Sequence, residues 1–73
     1  MTNDNFVRAL KPFTRRKRFR PFVIEFMTGE QLIVTHPELV YMNGDLIVHF
    51  DPKQRYRVFD SNSVCQLFDP PAD

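Results

Sequence analysis

The residues best suited to chemistry in this chain are His36, Glu38, His49 and Cys65, and each has a plainer role to be weighed against it. Two imidazoles and a carboxylate suit zinc or iron. Two histidines without a third strong ligand are a poor metal signature, however, and His36-Pro37-Glu38 reads more simply as a strand end whose side chains bond nearby backbone groups. A nucleophilic Cys65 needs a base beside it and an electropositive setting to lower its pKa. Its place between Val64 and Leu67 in an apolar stretch predicts burial as a small hydrophobe instead. Ser61 and Ser63 lack a glycine-rich elbow, and with Gly29 and Gly44 the only glycines there is no phosphate-cradling loop. Asp45, Asp51 and Asp60 fall at predicted turns, where Asp commonly bonds local backbone. The chain is therefore expected to be non-enzymatic, with no metal, no cofactor and no small-molecule substrate.

A second constellation is electrostatic. The first twenty residues carry seven cations against Asp4, a net of +6, whereas residues 21–73 carry three cations against eight acids, a net of −5. The tract Arg15, Arg16, Lys17, Arg18 and Arg20 has the charge to contact phosphates, with Phe13 and Phe19 at its margins to stack on unpaired bases. The competing reading is a solvated segment that balances the acidic body, folding over Glu25, Glu30 or Glu38.

The elements that must position these groups are short. Asn3 or Asp4 is placed to cap a helix over residues 3–11, with Phe6 and Leu10 four apart on one face and Pro12 ending it. Residues 12–20 form the basic connector. From Pro21 the period becomes two: Phe22, Ile24 and Phe26 alternate with Val23, Glu25 and Met27, the pattern of a strand with one buried face. Thr28-Gly29-Glu30 turns the chain, Leu32 and Val34 continue the alternation, and Pro37 stops it near His36. Residues 39–50 predict a hairpin about Asn43-Gly44, the pair best suited to positive φ. Tyr56 and Val58 mark another strand, Asp60-Ser61-Asn62-Ser63 a turn, and residues 64–68 the last strand, leaving a flexible tail at 69–73. The expected core is Phe22, Ile24, Phe26, Leu32, Val34, Leu46, Val48, Phe50, Val58 and Leu67.

At 73 residues there is room for one domain, which buries only about 60% of its unfolded surface and is marginal without a staple. One cysteine rules out an internal disulfide, so stability rests on a dense core or on a partner subunit; eight Phe and two Tyr supply such a core. The chain has no apolar run long enough to span a membrane and no secretion-type start, so a cytoplasmic, non-membrane protein is expected.

The segments FRPFVIEFMTGEQLIVTHPELV and VFDSNSVCQLF resemble a set of short bacterial proteins of unknown function, which share an RPF strand entry, a Gly turn, an HPE bend and an FD…SV ending. The resemblance covers about residues 6–68 and implies a shared fold; the basic run at Arg15 to Arg18 departs from it. One helix followed by about five strands also looks like the Sm-like RNA-binding barrel, with Gly29 where that family has its first-hairpin glycine. The family's second glycine is missing around Thr35 and His36, and its second motif has no counterpart near Arg57 to Asp60, so ring assembly and uridine binding do not carry over by residue. The expected architecture is mainly β (α+β): a short N-terminal helix before a small, strongly bent antiparallel sheet of five to six strands, or an SH3/Sm-like barrel. The expected function is a binding module for a protein partner or for its own copies, with single-stranded nucleic acid through Arg15, Arg16, Lys17, Arg18, Phe19 and Arg20 as the alternative.

Overall fold

A computed structural model describes residues 1–36, 40–44, 46–50 and 56–71. Helix α1 (Asn3–Thr14) precedes strands β1 (Phe22–Phe26), β2 (Gln31–Val34), β3 (Val40–Asn43), β4 (Leu46–Phe50), β5 (Tyr56–Asp60) and, after a 3₁₀ turn at Ser61–Ser63, β6 (Val64–Phe68). The strands form two antiparallel three-stranded sheets, ordered β2-β1-β6 and β3-β4-β5. The fold is thus mainly β with one N-terminal helix, as expected. Among the described residues, however, each strand pairs only within its own group of three, giving two small sheets and no closed barrel.

Two boundaries of α1 differ from expectation. Its cap is Thr2, whose hydroxyl oxygen accepts the Asn5 amide at 3.2 Å. Its end is Thr14, with Pro12 inside the last turn. Pro12 removes one amide, that which would reach Arg8, and the turn closes around it: the Arg15 amide donates to the Lys11 carbonyl at 2.9 Å and the Thr14 hydroxyl to that of Leu10 at 3.2 Å. Continuing the helix also lays the Phe13 ring on Phe22, with centroids 5.0 Å apart.

The predicted glycine turns are present. Gly29, at φ +89°, follows a β-turn closed by its own amide on the Phe26 carbonyl at 2.8 Å, and the Phe26 amide returns to the Glu30 carbonyl at 2.8 Å. That is a three-residue hairpin loop with its left-handed residue last, a position glycine fills without strain. In the next hairpin Asn43 pairs with Leu46, so the loop begins at Gly44, φ +63°, one residue later than a turn about Asn43-Gly44. The predicted turn at Asp51 to Lys53 lies outside the described residues.

The core joins Phe6 of α1 to Phe22, Ile24 and Phe26 of β1, Val34 of β2, Ile47 of β4, Phe59 of β5 and Val64 of β6. Phe59 links three layers: it meets the Phe26 ring edge-on at 4.9 Å and the Phe6 ring at 6.5 Å. Four expected core residues are not there. Leu46, Phe50 and Val58 are exposed and Val48 is only half-buried, because β4 and β5 turn Ile47, His49 and Phe59 inward instead. Leu46-Ile47-Val48-His49-Phe50 is apolar on both faces, so alternation alone does not choose between them, and the face with more hydrophobic positions is the wrong one. Leu32 and Leu67 pack partly buried against the core.

Candidate functional site

Two surfaces have the composition of a binding site: the basic connector and the outer face of the β3-β4-β5 sheet. In the connector, residues 15–21, Arg16 is held on four sides. Its Nη2 and Nη1 donate to Asp69 Oδ1 at 2.7 Å and Oδ2 at 3.1 Å, its Nε to the Phe13 carbonyl at 3.2 Å, and its guanidinium lies 5.0 Å from the Phe13 ring centroid. Arg20 approaches the same carboxylate at 3.7 Å. The Arg16 hydrogen bonds hold the Asp69 carboxyl below its ordinary pKa, with the charges of Arg16 and Arg20 acting in the same direction.

Asp69 therefore fastens the connector to the residue just after β6, and the tail expected from position 69 is tied down at its first residue. The anionic partner is not among those expected: Glu25 accepts from Gln66 and Gln31, Glu30 from Arg57, and Glu38 lies outside the described residues. Phe19 is half-buried with its ring 6.1 Å from Phe22, and Phe13 lies between Arg16 and Phe22, so both rings of the tract are engaged with the body. Arg15, Lys17 and Arg18 are exposed. A shallow depression lined by Arg20, Pro21, Asp69, Pro70 and Pro71 adjoins the clasp.

The remaining chemistry-bearing residues are dispersed. His49 is buried on the inner face of β4 while His36 is exposed, and among the described residues no group of three His, Cys, Asp or Glu is placed to hold a metal. Cys65 is exposed rather than buried. The pairing explains why: Glu25 faces Gln66 and Phe26 faces Val64, leaving Cys65 as the extra residue of a bulge that reverses the inward and outward phase of β6.

The outer faces of the two sheets differ in how much apolar surface they leave open: on the first, the Ile33, Val23 and Phe68 row is apolar, but only Ile33 stands exposed, Val23 being buried and Phe68 half-buried. Across β2-β1-β6, Glu25 is bracketed by Gln31 and Gln66, whose amides donate to it at 3.2 and 2.7 Å and, Gln66 foremost, lower its pKa. That row is polar and internally satisfied. Across β3-β4-β5 the rows are set by register: Asn43, Leu46 and Asp60; then Tyr41, Val48 and Val58; then Phe50 and Tyr56. Tyr41 meets Phe50 edge-on at 5.5 Å, and Phe50 lies 6.2 Å from Tyr56. Tyr41 is 57% and Tyr56 69% exposed, and Leu46, Phe50 and Val58 stand open beside them. With rings of roughly 150 to 250 Å² each, these side chains present about 500 Å² of free surface, at the upper end of what a lone soluble domain shows.

Arg57, between Tyr56 and Val58, points the other way. It pairs with Glu30 through both guanidinium nitrogens, Nη2 to Oε2 at 2.9 Å, and lies 4.6 Å from the Phe26 ring centroid. The hydrogen bond raises the Arg57 pKa and lowers that of Glu30, and the pair straps β5 to the β1–β2 turn. Asp60 at the rim accepts the Ser63 amide at 3.0 Å and so is committed to the 3₁₀ turn. The apolar rows thus carry no charge at their centre. No protein-family model matches the chain, and no curated protein matches it either. No helix among the described residues is long and apolar enough to cross a membrane.

Proposed function

We propose that this domain is a non-catalytic binding module whose working surface is the outer face of the β3-β4-β5 sheet, and whose ligand is protein. One observation carries the reading: β4 and β5 send Leu46, Phe50, Tyr56 and Val58 to solvent while burying His49 and half-burying Arg57. A sheet selected only for stability places its more apolar face inward. Aromatic side chains at the centre of an uncharged patch are the usual composition of an interface core. The face also lacks described cations to follow a nucleic-acid backbone, since Arg57 is committed to Glu30. The alternative through the connector rests on Arg15, Lys17 and Arg18, which have no exposed ring beside them on which to stack a base.

A photoreactive amino acid placed in cells at Tyr56, and separately at Lys17, tests the choice. Protein adducts, whether with the chain itself or another protein, are expected from position 56. Nucleic-acid adducts from position 17 with no protein adducts from position 56 would overturn the assignment in favour of the connector.

A further inference from the structure

We infer that the partner on this face is a second copy of the chain, stacked sheet on sheet with β4 over β4 and a two-fold axis passing beside Val48. The inference rests on the protein-binding reading and names its occupant. Val48 is the middle residue of the middle strand, paired with Tyr41 on one side and Val58 on the other, so it is the centre of the apolar rows. A two-fold axis through that point superposes the largest part of one face on its copy, and the residue nearest the axis meets itself.

Three properties favour a second copy over an unrelated protein. Among the described residues the rows through Val48 and Phe50 carry Tyr41, Val48, Val58, Phe50 and Tyr56 and no charge, with Asp60 confined to the Leu46 row at the rim, so apposing identical faces brings no like charges together near the axis and leaves little electrostatic basis for choosing a different partner. The area is sufficient: about 500 Å² from each copy gives about 1,000 Å² before any rim is counted, which reaches the lower bound of specific interfaces. Two identical twisted sheets pack face to face about 10 Å apart, with their ring and aliphatic side chains interleaved. The basic connector stays outside the contact, since it is clasped to Asp69 beyond β6 of the other sheet. An interface at the lower bound of area is that of a reversible dimer, not an obligate one.

Sedimentation equilibrium of the purified full chain, from about 1 μM to 0.5 mM, should show the mass rising from 8.7 kDa towards twice that value. Tyr56→Lys, at a side chain already mostly in solvent, should weaken the dimer at least about tenfold while leaving the far-UV spectrum unchanged. Val48→Lys and Val48→Glu should each be monomeric, and an equal mixture of the two should dimerise, because only a residue beside the axis meets its own copy. A wild type that stays monomeric at 0.5 mM, a dimer indifferent to Tyr56→Lys, or a Val48 mixture no more associated than either variant alone would overturn the inference. If the Val48 variants unfold, Tyr56→Lys decides. A monomeric wild type that still forms protein adducts from position 56 removes the self-pairing and leaves the protein-binding reading standing; absence of both removes both.

Discussion

Phe59→Ala and Val58→Ala are adjacent substitutions on β5 whose effects should differ about tenfold. Phe59 is 9% exposed, edge-on to Phe26 at 4.9 Å and to Phe6 at 6.5 Å, so its removal opens a void where helix and both sheets meet. Truncating such a ring costs about 3 to 5 kcal/mol, and the two ring pairs place this site toward the upper figure. A domain of 73 residues holds about 4 to 11 kcal/mol in total, so Phe59→Ala should remove between roughly half and all of it at 25 °C. Val58 stands 48% exposed on the opposite face, where loss of two methyl groups should cost less than about 0.5 kcal/mol. Urea unfolding followed by far-UV circular dichroism at about 1 μM, with both substitutions made in the Tyr56→Lys background, keeps association a minor part of the measurement. With a slope of about 1 kcal/mol per molar, the Phe59 midpoint should fall by about 4 to 5 M or vanish, and the Val58 midpoint should barely move. A larger loss at Val58 than at Phe59 would show that β5 is out by one residue, and with it the apolar face assigned to solvent.

Two further substitutions probe the strap and the turn. The Glu30 and Asp69 carboxyls are held below their ordinary range by Arg57 and Arg16, so their contributions are complete above about pH 4.5 and are lost as pH falls through the lower folded values. Glu30→Gln should therefore destabilise the protein at pH 7 and lose that effect in strong acid; a difference from wild type that persists unchanged at pH 2 would refute it. A Cβ added at Gly44 meets no atom within 4 Å beyond its chain neighbours, so the cost of Gly44→Val is mainly that of a β-branched residue at φ +63°, about 1 to 2 kcal/mol or a melting shift of roughly 4 to 16 °C. Gly44→Asn should be much milder, and equal melting temperatures for the two would rule out backbone strain as the reason for glycine.

Where the sequence has one apolar face, the fold is legible in it. On β1 Phe22, Ile24 and Phe26 are buried as alternation requires and Glu25 is half-buried, but Val23, expected on the outward face, is buried with them. The Gly29 and Gly44 turns follow from the cost of positive φ to other residues. What alternation cannot decide is a strand apolar on both sides, and β4 is one; its inward face is fixed only by register with β5, which sets Ile47 beside Phe59, the ring that packs on Phe26. The Cys65 bulge is invisible for a related reason, since an extra residue in β6 is defined only against its register with β1. The connector was legible as charge but not as structure. Its clasp joins Arg16 to a carboxylate 53 positions later, and neither residue's neighbours in sequence point to the other.

The misassigned face and the proposed binding face are the same set of residues, and the coincidence has a physical basis. Burial preference is a statement about water, and it does not distinguish a side chain covered by its own chain from one covered by another copy. Leu46, Val48, Phe50, Tyr56 and Val58 have the composition of a core because, on this reading, they are one: the inner layer of a sandwich completed by two chains. The small size of the domain works in the same direction. A chain of 73 residues cannot enclose two apolar faces of one sheet, and here α1 and the β2-β1-β6 sheet complete the core on the inner side only. Retaining five large apolar side chains on the other side then stabilises the fold only when a second surface covers them, which couples folding to association by mass action. Wild-type stability should accordingly rise with protein concentration, while that of Tyr56→Lys should not.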